Sequence, residues 1–103
     1  MKKSKLKIDG SGNRKWFLNG KLNRVDGPAI EWSDGSKEWF LNGKRHRVNG
    51  PAVEDSGGNK YWYLNGKRHR VDGPAVECIN GYREWWLNGV EYTEEEYNEK
   101  TRT

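Results

Sequence analysis

The chain has 103 residues, of which 32% are apolar and 33% charged, and its 19 lysines and arginines outnumber its 15 carboxylates. This length predicts one domain with a thin core, and the longest apolar runs fall far below the roughly 18 residues that a membrane-spanning helix needs. The single cysteine excludes an internal disulfide bond, and residues 1–7 are basic with no apolar stretch behind them. We therefore expect a cytoplasmic protein with no membrane segment.

The sequence repeats itself with a constant period of 23 residues, and similar stretches begin at Trp16, Trp39, Trp62 and Trp85. The period predicts a half repeat at residues 6–15, whole repeats at residues 16–38, 39–61 and 62–84, and a half repeat at residues 85–92. Such a period indicates supersecondary units that each cover their hydrophobic faces with their neighbours. The three whole repeats are called the first, second and third segments below.

Each segment contains three turn signals. An Asn-Gly pair, such as Asn42-Gly43, tolerates the positive φ angles of a type I′ hairpin turn. A Gly-Pro pair, such as Gly50-Pro51, interrupts strand pairing because proline has no N–H to donate. The third break varies between segments, which is typical of an exposed loop tip between two strands. We predict two strands and three turns per segment, arranged as an antiparallel, curved meander of hairpins.

Alternation along the aromatic strand predicts which face of the sheet is buried. In the second segment, Trp39 and Leu41 lie on one face and Phe40 on the other, since side chains alternate along a strand. Equivalent tryptophans and leucines recur in every segment. We expect their ladder to form the core, with residues 16, 39, 62 and 85 stacked beside residues 18, 41, 64 and 87.

The pattern stops at the C-terminus, where Thr93 and Glu96 match a capping box. We predict a short helix over residues 93–100, with Tyr92 and Tyr97 covering the last hydrophobic layer. The predicted fold is therefore an all-β, single-domain repeat array of short antiparallel β-hairpins that ends in a short C-terminal capping helix.

The string His-Arg-Val-(Asp/Asn)-Gly-Pro-Ala occurs at residues 46–52 and 69–75. It resembles a repeat found in strings in proteins of phages and giant viruses, and the hairpin pattern is similar to that of MORN repeats. The resemblance covers roughly residues 6–92. It implies a β-hairpin array in a viral or bacterial setting, with scaffolding or with protein or lipid binding, and it implies no reaction. The first segment has Leu22-Asn23-Arg24 where the others have Arg-His-Arg, so a role of the histidine does not extend to it.

Basic clusters after the hairpin tips are the best candidates for binding. Residues 1–90 contain 17 lysines and arginines against 10 carboxylates, so an anionic partner would be attracted. The candidate residues are Arg24, Lys44, Arg45, His46, Arg47, Lys67, Arg68, His69 and Arg70, with the aromatic residues Trp32, Tyr61, Tyr63 and Trp86. A structural alternative is a solvated edge in which turn carboxylates pair with the arginines and the recurring Glu31, Glu54 and Glu77 pair across strands.

No motif indicates an enzyme, a metal site or a cofactor, because His46, His69 and Cys78 match no zinc spacing and the glycines are explained by turns. Three hypotheses follow. The first is a phage or mobile-element binding module that sequesters or blocks a host protein in the host cytoplasm. The second is a binder of signalling nucleotides or nucleic acid through arginines and stacked aromatics. The third is a structural protein that associates with itself.

Overall fold

The computed structural model describes residues 3–102, which form fourteen short strands and one helix. The first strands are β1 Lys5–Ile8, β2 Arg14–Leu18, β3 Lys21–Leu22, β4 Ile30–Glu31, β5 Lys37–Glu38, β6 Phe40–Leu41 and β7 Lys44–Arg45. The remaining elements are β8 Val53–Glu54, β9 Lys60–Tyr61, β10 Tyr63–Leu64, β11 Lys67–Arg68, β12 Val76–Glu77, β13 Arg83–Leu87, β14 Val90–Tyr92 and the helix α1 Glu94–Thr101. The predicted basic N-terminus begins with residues 1 and 2, which lie outside the described residues.

Most strands belong to one open antiparallel sheet. Its strands follow the order β1-β2-β4-β5-β8-β9-β12-β13-β14, with β3 also paired to β2, and β6-β7 and β10-β11 form separate hairpins. Neighbouring strands of the sheet follow one another along the chain, either through a tight turn or, between β2 and β4, β5 and β8, and β9 and β12, through a stretch that contains a further strand or hairpin. The domain is flat, with extents of 45 × 32 × 17 Å. The predicted architecture of antiparallel β-hairpins with one C-terminal helix is confirmed.

Asn-Gly pairs form the hairpin tips, as predicted. Asn42 has a φ of 52° and Gly43 a φ of 80°, the sign that a type I′ turn requires at both central positions. The same combination recurs at Asn19-Gly20, Asn65-Gly66 and Asn88-Gly89. These turns match the twist of the flanking strands, so each tip continues smoothly into a hairpin.

Backbone hydrogen bonds join each hairpin to the next one along the chain. The N–H of Arg24 donates to the carbonyl of Phe40 at 3.1 Å, and the N–H of Gly43 donates to the carbonyl of Leu22 at 2.8 Å. Equivalent bonds link Arg47 to Tyr63, Gly66 to Arg45, Arg70 to Trp86 and Gly89 to Arg68. The four hairpins are therefore coupled side by side, although each hairpin strand is only two or three residues long apart from β2 and β13.

The most buried side chains lie on both faces of the sheet and not on the tryptophan face alone. The most buried hydrophobic side chains are those of Ala29, Ala52, Ala75, Ile30, Val76, Phe40 and Tyr97. Ala29, Ile30 and Phe40 pack together, and Leu22 and Trp32 lie against them. The predicted ladder of tryptophans and leucines is only half-buried. The prediction of the core was wrong on this point because an arginine guanidinium, rather than another apolar side chain, covers each of the first three tryptophans.

The predicted C-terminal helix is confirmed as α1, Glu94–Thr101. The Thr93 side chain accepts a hydrogen bond from the Glu96 N–H, and the Glu96 side chain accepts one from the Thr93 N–H. This reciprocal pair satisfies two backbone donors at the start of the helix. Tyr97 points inward and is 3% exposed. No helix within residues 3–102 is long and apolar enough to cross a membrane.

Tyr97 attaches α1 to the third segment through its hydroxyl group. The hydroxyl donates to the Arg70 carbonyl and accepts a hydrogen bond from the Gly73 N–H at 3.2 Å. We expect Tyr97→Phe to lower the free energy of unfolding by about 1 kcal/mol, because it leaves both backbone groups without this partner. Tyr97→Ala should cost roughly 3 kcal/mol or more, because it also removes a buried ring.

Urea denaturation followed by tryptophan fluorescence measures both effects. Tyr92→Phe is the matched control, since the Tyr92 hydroxyl makes no hydrogen bond within residues 3–102, and it should change stability by less than about 0.5 kcal/mol. Equal stability of Tyr97→Phe and the unchanged protein would contradict the proposed role of the hydroxyl.

Candidate functional site

Three of the predicted binding arginines lie flat against tryptophans of their own segments. The Arg24 Cζ lies 3.8 Å from the centroid of the Trp16 ring, Arg47 Cζ 3.7 Å from Trp39, and Arg70 Cζ 3.8 Å from Trp62. A planar guanidinium at this distance is attracted to the negative face of the ring and covers its apolar surface. These arginines are half-buried and contribute to packing.

The same guanidinium groups also connect the turn to the following strand. Arg47 Nη1 donates to the Pro51 carbonyl at 3.0 Å and to Glu54 Oε2 at 3.2 Å. Arg24 and Arg70 make the equivalent bonds to Pro28 and Glu31 and to Pro74 and Glu77, and each also pairs with the turn aspartate, Asp26 or Asp72. The pairing of turn carboxylates and of the recurring glutamates with these arginines is thus observed.

This arrangement explains why glycine precedes each proline. A Cβ atom placed on Gly27 would lie 3.0 Å from the Arg24 Cζ, and one on Gly50 would lie 3.0 Å from the Arg47 Cζ. Gly73 is equally close to Arg70, at 2.9 Å. A Cβ atom at these positions would force the guanidinium to shift, so glycine suits the close approach of the arginine.

The histidines act as hydrogen-bond acceptors between neighbouring segments. His46 Nδ1 accepts from the Asn65 N–H at 3.0 Å, and His69 Nδ1 accepts from the Asn88 N–H at 2.9 Å. In the first segment, Asn23 Oδ1 accepts from the Asn42 N–H at 2.8 Å. The asparagine therefore performs the same function where the first segment lacks histidine, because only an acceptor at this position is needed.

Arg45 and Arg68 pair with glutamates two strands away. Two nitrogens of Arg45 donate to Glu38 Oε1, at 3.1 and 3.0 Å, while Arg68 lies 3.6 Å from Glu84. Arg68 Nε also donates to the Tyr63 hydroxyl at 3.2 Å. Both guanidinium groups lie 5.7 Å from the Tyr63 ring centroid. Most of the predicted basic row is therefore paired within the protein.

The lysines at the hairpin tips are among the exposed cations. Lys44 and Lys67 are exposed, as is Lys21 at the equivalent position of the first segment. Their aliphatic stems lie over the turn glycine of the next segment, with Lys21 against Gly43, Lys44 against Gly66 and Lys67 against Gly89. Within residues 3–102 none of the three makes an ion pair with a carboxylate.

The candidate aromatic residues are half-buried, and the side chains of Trp32, Tyr63 and Trp86 are hydrogen-bonded. Trp32 Nε1 donates to Glu38 Oε2 at 2.8 Å, and Trp86 Nε1 donates to Glu84 Oε1 at 2.8 Å. Burial raises the pKa of Tyr61 above its ordinary value.

Exposed valines form a surface that the sequence analysis did not select. Val25, Val48 and Val71 occupy the same position in successive segments and are 86, 75 and 63% exposed. They lie at the tips of the loops formed by residues 24–27, 47–50 and 70–73, called the first, second and third loops. The sequence does carry a pattern that predicts this surface, because an apolar residue occurs at the same position of three otherwise polar turns.

A groove lies between each loop and the tryptophan of the following segment. The first groove, of about 520 Å³, runs between the first loop and Trp39. The second groove, of about 460 Å³, runs between the second loop and Trp62. The third groove lies between the third loop and Trp85, and residues of α1, including Tyr97, line it. All three grooves are open to solvent, and residues of α1 form one side of the third groove, where the first and second grooves have the loop of the following segment.

Metal chemistry has no evident site in the part of the chain that is described. No group of three or more histidines, cysteines, aspartates or glutamates is close enough to hold a metal ion within residues 3–102. Cys78 is a half-buried free thiol. The chain matches no protein-family model, and searches of curated proteins and of solved structures find no match.

The exchange of histidine for asparagine can be tested directly. We expect His46→Asn to preserve stability within about 0.5 kcal/mol, because Asn23 makes the same bond in the first segment. His46→Ala should lower the free energy of unfolding by about 1 kcal/mol, because the Asn65 N–H loses its acceptor. Denaturant unfolding of both variants measures the difference. Equal losses in the two variants would contradict the assignment of His46 as an acceptor.

Glu84 provides a prediction of pH dependence. The hydrogen bond from the Tyr82 hydroxyl, assisted by Trp86 and Arg68, holds the pKa of Glu84 below its ordinary value of 4.5. A carboxylate with a lowered folded-state pKa stabilises the fold above about pH 4.5, and this contribution is lost as the pH falls through the lower folded-state value. Tyr82→Phe should raise the pKa of Glu84 toward 4.5.

A carbon-detected NMR titration of the Glu84 carboxyl group in both proteins measures this change. Tyr92→Phe again serves as a control, and it should leave the Glu84 titration unchanged. If the titration curves of Tyr82→Phe and the unchanged protein coincide, the Tyr82 hydroxyl does not control this carboxylate.

Proposed function

We propose that the chain is a non-enzymatic binding module that associates stoichiometrically with a partner protein. The observation that carries this proposal is the row of exposed valines beside similarly built grooves on one side of the domain. Regularly spaced, exposed apolar side chains fit the extended surface of another protein. Each loop is already ordered by its arginine, so a contact at that loop requires little further loss of conformational entropy. A small ligand would be better served by one enclosed pocket.

The regular spacing of the contacts supports a modular, MORN-like organisation. The arginine–tryptophan stack, the hairpin tip and the inter-segment acceptor each recur at steps of 23 residues, which supports three whole repeats between two half repeats. In such an array each unit contacts mainly its neighbours, so a binding surface grows by copying one unit.

Blocking or sequestering a host protein is the mode of action that we propose. The resemblance to phage and giant-virus repeats suggests a phage or mobile-element origin and action in the host cytoplasm. A module of this size that works by occupancy needs only a surface and sufficient concentration, so it requires neither a cofactor nor catalytic residues. The arginines and histidines that the sequence indicated as binding residues contribute to this surface indirectly. The arginines hold the loops against the tryptophans, and the histidines bind the neighbouring hairpin tips.

A second candidate function is the binding of a polyanion such as nucleic acid. The exposed lysines Lys21, Lys44 and Lys67 favour it, because they form one unpaired charge per segment along the hairpin tips. Binding of this kind relies on phosphate contacts and weakens steeply with salt. Self-association through sheet edges is less favoured, since Lys5 and Lys7 are exposed on the edge strand β1 and would repel a second copy.

Capture from a bacterial lysate, followed by native mass spectrometry of the purified complex, tests the proposed function. The unchanged protein should retain a protein partner at a fixed stoichiometry. A triple variant with Val25→Glu, Val48→Glu and Val71→Glu should lose it, because the charges disrupt the apolar row. The matched control replaces Lys21, Lys44 and Lys67 by Gln and should retain the partner.

Two outcomes would contradict the proposed binding surface. Equal retention by the valine variant and the unchanged protein would exclude the valine row as the binding surface. Nucleic acid in the captured material, recognised by its absorbance at 260 nm and lost in the lysine variant, would support the second candidate function instead.

A further inference from the structure

The third loop contains a hydrogen-bonding site that is occupied within the chain. Its two ends, the Arg70 carbonyl and the Gly73 N–H, do not bond to each other, and both bind the hydroxyl of Tyr97. A phenol suits this pair of groups because one hydroxyl can donate to the carbonyl and accept from the N–H at the same time. The ring of Tyr97 lines the groove beside Val71 and Trp85.

The first and second loops present the same two groups without a partner. Within residues 3–102, neither the Arg24 carbonyl nor the Arg47 carbonyl accepts a hydrogen bond, and neither the Gly27 N–H nor the Gly50 N–H donates one. In both loops the arginine side chain is held by its tryptophan and by the proline carbonyl, as in the third loop. The polar pair is therefore fixed in place before any ligand arrives.

We propose that the first and second grooves each bind a tyrosine side chain presented by the partner protein, in the way that the third groove binds Tyr97. This inference rests on the proposed protein-binding function and specifies the chemistry of the contact. The tyrosine hydroxyl bridges the carbonyl and the N–H at the two ends of the loop. Its ring lies between the exposed valine and the tryptophan of the following segment, which supplies the apolar part of the contact.

The occupant is a different protein because no tyrosine within residues 3–102 is both exposed and free of a hydrogen bond at its hydroxyl, since Tyr61 and Tyr92 are half-buried. Tyr97 of a second copy is held in that copy's own third groove. Tyr82 is the exposed tyrosine among the described residues, and its hydroxyl donates to Glu84. Binding a second copy would require one of these bonds to break, whereas a partner with an exposed tyrosine has no such cost.

The sequence of α1 itself supplies a probe. We would titrate a synthetic peptide with the sequence of residues 93–102 into the isotope-labelled full-length protein and follow the backbone amide signals of Gly27 and Gly50. Both signals should shift in a saturable way, with a dissociation constant on the order of 1 mM for so short a ligand. The Gly73 signal should stay in place because the Tyr97 hydroxyl already binds both ends of the third loop.

The control peptide has phenylalanine in place of tyrosine and is otherwise identical. It should bind about tenfold more weakly, since it lacks the hydroxyl that makes both hydrogen bonds. Val25→Glu should abolish the shift of Gly27 and leave that of Gly50, because Val25 lines the first groove and not the second. Val71→Glu should weaken the shift of Gly50 and leave that of Gly27, because Val71 lines the second groove and not the first. Val48→Glu should weaken both shifts, because Val48 lines both grooves.

Absence of saturable shifts at Gly27 and Gly50, or equal binding of the two peptides, would overturn the assignment of these grooves to tyrosine. Shifts of the same amides with protein concentration alone would assign the grooves to a second copy and would also overturn it. Either result leaves the capture experiment unaffected. A partner that is captured by the protein but not through these grooves would refute only this inference, whereas loss of all protein capture would refute the proposed function.

Discussion

Hydrogen bonds from a side chain of one segment to the backbone of the next hold this flat domain together. Asn23, His46 and His69 each accept the N–H of a following hairpin tip. The variable loops make similar bonds. There, the N–H groups of Ser33, Ser56 and Ile79 donate to the side chains of Asn13, Ser36 and Asn59, respectively. No large side chain within residues 3–102 is fully buried, so the hydrophobic effect alone cannot specify how the segments align. These directional bonds supply the alignment.

The arginine–tryptophan stack replaces much of the missing core. It covers one face of the tryptophan, orders the Gly-Pro turn through the proline carbonyl, and pairs with a glutamate on the following strand. One cation thereby satisfies a ring, a carbonyl and a carboxylate, which an aliphatic side chain could not do. The consequence for function is that the most conspicuous basic motif of the sequence builds the scaffold. The surface left for a partner consists of the valine tips, the grooves behind them and the lysines.

The C-terminal end of the domain differs from the rest of the array. There, α1 forms one side of the third groove, and the Tyr97 hydroxyl binds both ends of the third loop. In the first and second grooves, the loop of the following segment stands where the third groove has α1. Under the proposed binding mode, Tyr97 is a model of the tyrosine that a partner would present. In the structure itself, the helix is a stabilising element at the end of the sheet.

The sequence by itself determined the period, the hairpin tips, the strand after each proline and the capping box, because turn geometry and helix capping depend on a few adjacent residues such as Asn42-Gly43 and Thr93. It also indicated that the turn carboxylates and the recurring glutamates pair with arginines. The buried face, the role of His46 and the grooves were decided only by the tertiary structure. Whether Trp39 is covered by an apolar group or by Arg47 depends on how the turns fold the arginine back over the ring within one segment. The bond of His46 and the lining of the grooves depend on contacts between segments. Alternation along a strand carries no information about either kind of contact, since they form only when the turns and the neighbouring segments come together.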